Sequence, residues 1–130
     1  MRKASLVSIV EDDQHFRESM KRLMRSLGYS VETFASAADF LARARLGETA
    51  CLIADVHIPA MTGVELHRRL GDSGYRVPTI LVTAHHDEDF RARALADGIV
   101  CCLRKPIDEG ILVRCLHAAL HSCEPPEDNS

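Results

Sequence analysis

The chain is expected to fold as a three-layer α/β protein around a doubly wound parallel sheet, and three observations predict this. Short apolar runs recur along it, at residues 6–10, 31–34, 51–54, 77–82 and 101–103. Segments of helical periodicity separate the runs, and the connections between them are short. The runs are continuous rather than alternating, which marks strands buried on both faces and therefore covered by helices above and below. The order is (βα)5, with each crossover returning the chain to one sheet.

Residues 6–10 supply the first buried strand. A helix over 14–27 follows, because Phe16, Met20, Leu23, Met24 and Leu27 recur at helical spacing. Gly28 provides its left-handed stop. After a short strand at 31–34, Ser36 is placed to cap an alanine-rich helix over 37–46, with Asp39 near its positive end. Cys51-Leu52-Ile53-Ala54 reads as a middle strand, and residues 55–63 as a loop. Val64, Leu66 and Leu70 mark the third helix, ended by residues 71–74. Pro78 is tolerable only near the beginning of the strand at 77–82. A helix over 87–96 opens on acids and closes at Gly98, and the strand at 101–103 leads to a last helix over 108–121. Ile111, Leu112, Cys115, Ala119 and Leu120 are available for that helix's apolar face.

Residues 1–121 thus form one domain, as expected for a chain of 130 residues. Residues 122–130, with Pro125-Pro126 and three acids, read as a disordered tail or linker stub. Aromatic residues make up 5% and Trp is absent, so the core must be aliphatic. A formal net charge of -3 offers no basic footprint for nucleic acid. No apolar stretch reaches membrane-spanning length. The apolar run after Met1-Arg2-Lys3-Ala4 stops at Glu11, which argues against a signal peptide. Five cysteines without metal spacing read as the reduced thiols of a cytoplasmic protein, and the seven histidines show no zinc pattern.

Polar residues terminate four of the runs: Glu11-Asp12-Asp13, Asp55, Thr83 and Lys105-Pro106. Parallel strands would gather them at the carboxyl edge of the sheet, where open α/β folds place their chemistry. Asp55 is the candidate nucleophile, because a carboxylate can attack a phosphoryl donor to give an acyl phosphate. A strand-terminal Asp also serves simply to cap a loop. Glu11 and Asp12, with Asp13 nearby, offer the hard oxygens that magnesium takes. Asp12 or Asp13 could equally cap the following helix, and both readings hold if Asp13 caps while Asp12 faces the metal. His57 would contribute its backbone carbonyl to the same ion. Lys105 would pair first with Asp55 and then with a phosphoryl oxygen, and Thr83 would hydrogen-bond another. Taken alone, Thr83 is an ordinary strand-end residue and Lys105 an ordinary solvated charge. A cis bond at Pro106 would turn Lys105 inward, although most X–Pro bonds are trans.

Together these residues resemble the receiver domain of two-component response regulators over roughly residues 5–121. The resemblance is carried by Val10-Glu11-Asp12-Asp13 with Arg17, Asp55-Val56-His57-Ile58-Pro59 with Met61-Thr62-Gly63, Thr83-Ala84 and Lys105-Pro106. The loop wording and Thr33-Phe34 with Ser36-Ala37 look most like the nitrogen-fixation-type branch, many of whose members carry a helix-turn-helix domain. The resemblance implies a flavodoxin-like fold and a phosphorylation-activated signalling switch rather than a turnover enzyme. It implies Asp55 as phosphoacceptor, Glu11 and Asp12 as the acidic pair for Mg2+, Thr83 as the switch hydroxyl and Lys105 as the lysine that neutralises charge. It implies a sensor histidine kinase as donor, and a face between the fourth and fifth helices for homodimerisation or partner binding. His57 and His85 stand where the family tunes loss of the phosphoryl group.

Two departures from the family pattern stand out. Three residues before the lysine the family carries Phe or Tyr, whose ring swings inward as the switch hydroxyl moves; here the residue is Cys102. No output domain follows within these 130 residues, so the chain is either a stand-alone receiver or the receiver part of a longer, transcription-regulating protein. Two other functions compete with the switch. A receiver-like module could bind partners without phosphorylation, which Cys102 favours and the acidic cluster opposes. A small Mg2+-dependent phosphohydrolase would want a second carboxylate on the nucleophile loop, where His57 stands instead.

Overall fold

The computed structural model describes residues 5–58, 60–85 and 87–121, so the expected tail at 122–130 lies outside the described residues. In chain order the elements are β1 (Leu6–Val10), α1 (Gln14–Ser26), β2 (Ser30–Phe34), α2 (Ala37–Arg43), β3 (Thr49–Asp55), β4 (His57–Ile58), β5 (Met61–Thr62), α3 (Gly63–Asp72), β6 (Thr79–Thr83), α4 (Glu88–Ala96), β7 (Cys101–Arg104) and α5 (Glu109–His121). Five parallel strands form the sheet in the order β2-β1-β3-β6-β7. The chain runs from β1 outward to β2, then crosses to β3 and proceeds the other way. The strand order therefore reverses between β1 and β3, which is where open sheets of this kind form their crevice.

Successive strand residues point to opposite faces, and the two faces build separate cores. Leu52, Ala54 and Leu81 pack with Phe40, Leu66, Leu70 and Ala94 of α2, α3 and α4. Ile53, Ile80 and Val82 pack with Met20, Met24, Leu112 and Leu116 of α1 and α5. Burying every side chain of β1 explains why its sequence shows no polar alternation except Ser8, whose hydroxyl is hydrogen-bonded to Thr49.

Helix starts follow their capping residues. Asp13 accepts from the backbone N–H groups of His15 and Phe16 at the head of α1, and Ser36 accepts from Asp39 N–H at α2. Thr62 and Glu65 form a reciprocal capping box at α3, and Asp87 caps α4 as the residue before it rather than its first turn. Gly28 and Gly98 adopt positive φ after α1 and α4, where a side chain would be strained.

Several boundaries depart from expectation for physical reasons. The helix expected over 37–46 ends at Arg43: Ala44 is extended, and a 3₁₀ turn at Leu46–Glu48 steers the chain into β3. The strand expected from Val77 begins at Thr79. Pro78 has no N–H to give the ladder, although its carbonyl still accepts from Leu52 N–H at 2.9 Å. The loop at 55–63 contains the short antiparallel pair β4–β5, with Ala60 at a φ of 68°. On α5, Ile111 is 48% exposed, and Leu112, Cys115, Leu116 and Ala119 form the buried stripe at i, i+3, i+4 and i+7.

Candidate functional site

Just beyond the ends of β1, β3 and β7, side chains of three elements meet. Glu11 follows β1, its backbone N–H donating to Phe34 carbonyl at 3.0 Å and its carbonyl accepting from Arg17 at 2.8 Å. Those two bonds turn its carboxylate inward, where the residue is 2% exposed. Asp55 ends β3 and is also buried. Its Oδ1 accepts from His57 N–H at 2.8 Å, which fixes the carboxylate's plane. Lys105 follows β7 and is anchored by its own N–H to Thr83 carbonyl at 2.8 Å. The Lys105–Pro106 peptide bond is cis. The Lys105 ammonium donates to Asp55 Oδ2 at 2.7 Å and to Glu11 Oε1 at 3.1 Å, and it lies 4.2 Å from the centre of the Phe16 ring.

The electrostatics follow from that packing. Burial pushes the Glu11 carboxyl up from the ordinary 4.5 to about 7. The Asp13 N–H and the Lys105 ammonium pull the other way, and the Asp55 charge adds to the rise. Burial alone would lower the Lys105 ammonium, but its bonds to Asp55 and Glu11 outweigh that and raise it. One cation is thus shared by two buried carboxylates.

The remaining residues frame this centre. Asp12 stands exposed at its rim, next to Glu11, while Asp13 is occupied at the head of α1. Thr83 ends β6, and its hydroxyl oxygen accepts from His85 N–H at 3.1 Å. His57 and His85 are exposed with their rings 6.0 Å apart, and Cys102 is half-buried beside Thr83. The structure therefore brings Glu11, Asp55 and Lys105 into direct contact and ties Thr83 to them through the Lys105 backbone.

Three contributors were not assigned a role from sequence. The spacing of Phe16 places it on a helix face, and nothing in that spacing shows that its ring meets a lysine 89 positions later. Arg17 belongs to the quoted motif, yet its bond to the Glu11 carbonyl has no local signature. Gly63 sits against the end of β3: a Cβ there would lie 2.7 Å from Leu81 Cδ2 and 2.9 Å from the Asp55 carbonyl.

Among the described residues no group of three His, Cys, Asp or Glu side chains could hold a metal ion by itself. Magnesium does not need one, because it commonly uses one or two carboxylates and completes its octahedron with waters and substrate phosphate. Carboxylates of Glu11, Asp12 and Asp55 and the His57 carbonyl are donors of the right hardness. A buried Glu11 whose ionisation is suppressed is also a group that an added positive charge would favour. The residues fit the ion.

A doubly wound sheet with buried carboxylates and an ammonium at its carboxyl edge defines a receiver domain. The chain belongs to the response regulator receiver domain family, whose pattern matches residues 7–117. It stands with the nitrogen-fixation-type branch: it is 33% identical over 113 residues to the transcriptional regulatory protein FixJ of Rhizobium meliloti, covering 87% of this chain and 55% of that one. It is 34% identical over 128 residues to the response regulator protein TodT of Pseudomonas putida, covering 98% of this chain and 56% of TodT. Among solved structures, the response regulator StyR superposes with a TM-score of 0.84 at 34% identity, covering 92% of this chain and 61% of that one. The crystal structure of FixJ-N superposes at 0.82 with 29% identity, covering 97% of this chain and 100% of that one. The chain spans a little over half the length of the curated relatives it matches. Receiver domains accept a phosphoryl group on an aspartate from a sensor histidine kinase, with magnesium, and are phosphoacceptors rather than turnover enzymes. No helix among the described residues is long and apolar enough to cross a membrane.

Proposed function

We propose that Asp55 is the phosphoacceptor of this receiver and that Glu11, Asp12, Asp55 and the His57 carbonyl hold its magnesium. The observation that carries this reading is the Lys105 ammonium at 2.7 Å from Asp55 Oδ2. His57 N–H holds Oδ1, leaving Oδ2 as the oxygen that leaves its ammonium partner and attacks phosphorus. The O–P bond forms as the P–N bond to the kinase imidazole breaks, and the imidazole departs with the electron pair. Lys105 follows the growing charge onto a phosphoryl oxygen, and Thr83 turns its hydroxyl to another. Magnesium, when bound, offsets the repulsion between the phosphoryl dianion and the acidic pocket. His57 and His85, on the exposed side, govern how water reaches the acyl phosphate during dephosphorylation.

The output surface of this reading is the face of α4 and α5. A groove of about 490 Å³ runs there, lined by Arg91, Leu95, Cys102, Arg104 and Ile111 among others. Leu95 and Ile111 are large apolar residues left exposed, which suits a homodimer or partner contact. Residues 1–121 act as the receiver unit in the cytoplasm, where sensor kinases present their phosphohistidine. The names of its relatives support control of transcription by the whole protein. The second reading, partner binding without phosphorylation, is favoured only by Cys102.

Replacing Asp55 by Asn tests the function. Stable labelling by acetyl phosphate should vanish while the circular dichroism spectrum is unchanged. Undiminished labelling mapped to another residue would refute the assignment.

A further inference from the structure

Position 102 carries a thiol, so no ring stands between Thr83 and the α4–α5 groove on β7. The space beside Thr83 is bordered instead by a ring from the opposite element. Phe90 lies in the first turn of α4, its N–H bonded to the Asp87 cap at 3.1 Å. It is half-buried and packs with Cys102 against the core beneath α2, α3 and α4. Thr83, Cys102, Phe90 and Arg91 line one small cavity of about 30 Å³. It is a half-open depression in which Phe90 forms one wall and Thr83, the residue that the proposed chemistry moves, forms another.

The attachment of α4 makes such a movement consequential. Ala94 is the one fully buried side chain of that helix, and Phe90 stands one turn before it on the same side. Displacing the ring therefore displaces the first half of α4. Arg91 and Leu95, which line the larger groove, follow Phe90 on the same helix. Cys102, Arg91 and Arg104 border both cavities, so the path from Thr83 to the groove is continuous.

We propose that Phe90 is the aromatic positioning residue that transmits the state of Thr83 to α4 and to the face carrying Arg91 and Leu95. The ring is supplied by the helix where position 102 does not supply one from the strand. This rests on Asp55 being the phosphoacceptor. A purely structural Phe90 would anchor α4 equally well with the site empty or charged; a transmitting Phe90 changes its surroundings between those states.

The full chain serves as the test object, with beryllofluoride and magnesium as the probe. The chain contains no Trp, so a Phe90→Trp variant carries a single indole at the position in question. Its emission should shift on beryllofluoride addition, with a bound fluorine-19 resonance reporting occupancy independently. In the unsubstituted chain, amide hydrogen exchange across residues 88–104 should change on binding. Phe90→Leu, which keeps an apolar anchor and removes the ring, should lose most of that change while retaining the bound fluorine signal. A Leu variant with the full exchange response, or an indole whose emission is unmoved at full occupancy, would overturn the role of Phe90. A missing fluorine signal in the unsubstituted chain would strike the Asp55 assignment itself and remove this proposal with it.

Discussion

The Lys105 ammonium sits 2.7 Å from Asp55 Oδ2, across a separation of 50 residues, and it reaches Glu11 with its next bond at 3.1 Å. A single long side chain therefore compensates two carboxylates that are 10% and 3% exposed. Exposed ion pairs contribute little, but removing one partner of a buried pair leaves the other charge desolvated without compensation.

Lys105→Met should accordingly lower stability by about 1–3 kcal/mol, the usual cost of leaving buried polar groups unsatisfied. The urea midpoint at pH 7 measures this, and labelling by acetyl phosphate should slow in parallel. A midpoint equal to that of the unsubstituted chain would mean that the ammonium is not holding the carboxylates together.

Glu11 predicts a dependence on pH. Its carboxyl is raised by burial from 4.5 to about 7. Between those values the unfolded chain has released the proton that the folded chain keeps, so the unfolded state binds fewer protons and stability declines as pH rises. The contribution is fully present below 4.5 and lost once pH passes about 7. Urea midpoints of the magnesium-free chain and of Glu11→Gln, compared from pH 5 to 8, isolate this group. The difference between the two should drift in favour of Gln with rising pH; a constant difference would contradict it.

Gly63→Ala should be costly although the substitution is small. The Leu81 methyl at 2.7 Å can rotate away, but the Asp55 carbonyl at 2.9 Å is backbone within the strand end that carries the Asp55 carboxylate. Overpacking of this kind costs about 1–3 kcal/mol. Thermal unfolding should show the loss, and the phosphorylation rate should fall by more than stability alone explains, because Asp55 itself must shift.

Magnesium should raise the melting temperature of the unsubstituted chain, since a ligand that binds only the folded state stabilises it by mass action. Asp12→Asn should remove most of that rise while leaving the magnesium-free melting temperature nearly unchanged, because Asp12 is exposed. A full rise in the variant would take Asp12 out of the ligand set.

The sheet was legible because its strands are short, apolar and separated by helices with clear periodicity. Continuous burial of β1 and of Cys51 to Asp55 leaves little choice of assignment. What the sequence hid was of two kinds. Local pieces such as the β4–β5 pair are too short to show a pattern, and the exchange of Ile111 for Leu116 is a small rotation of one helix face. The site was visible as a set of strand ends, yet its internal geometry was not. That Phe16 underlies Lys105, or that Gly63 must be small beside Asp55, depends on how distant segments pack, and no spacing along the chain encodes it.

The site's residues are drawn from strands early, middle and late in the chain. A ribosome that has released only the first hundred residues has made Glu11 and Asp55 but not the Lys105 that sits between them. The two buried carboxylates of the nascent chain therefore lack their shared cation until β7 docks at the sheet's edge, and the ion-paired cluster closes only with the last strand of the sheet.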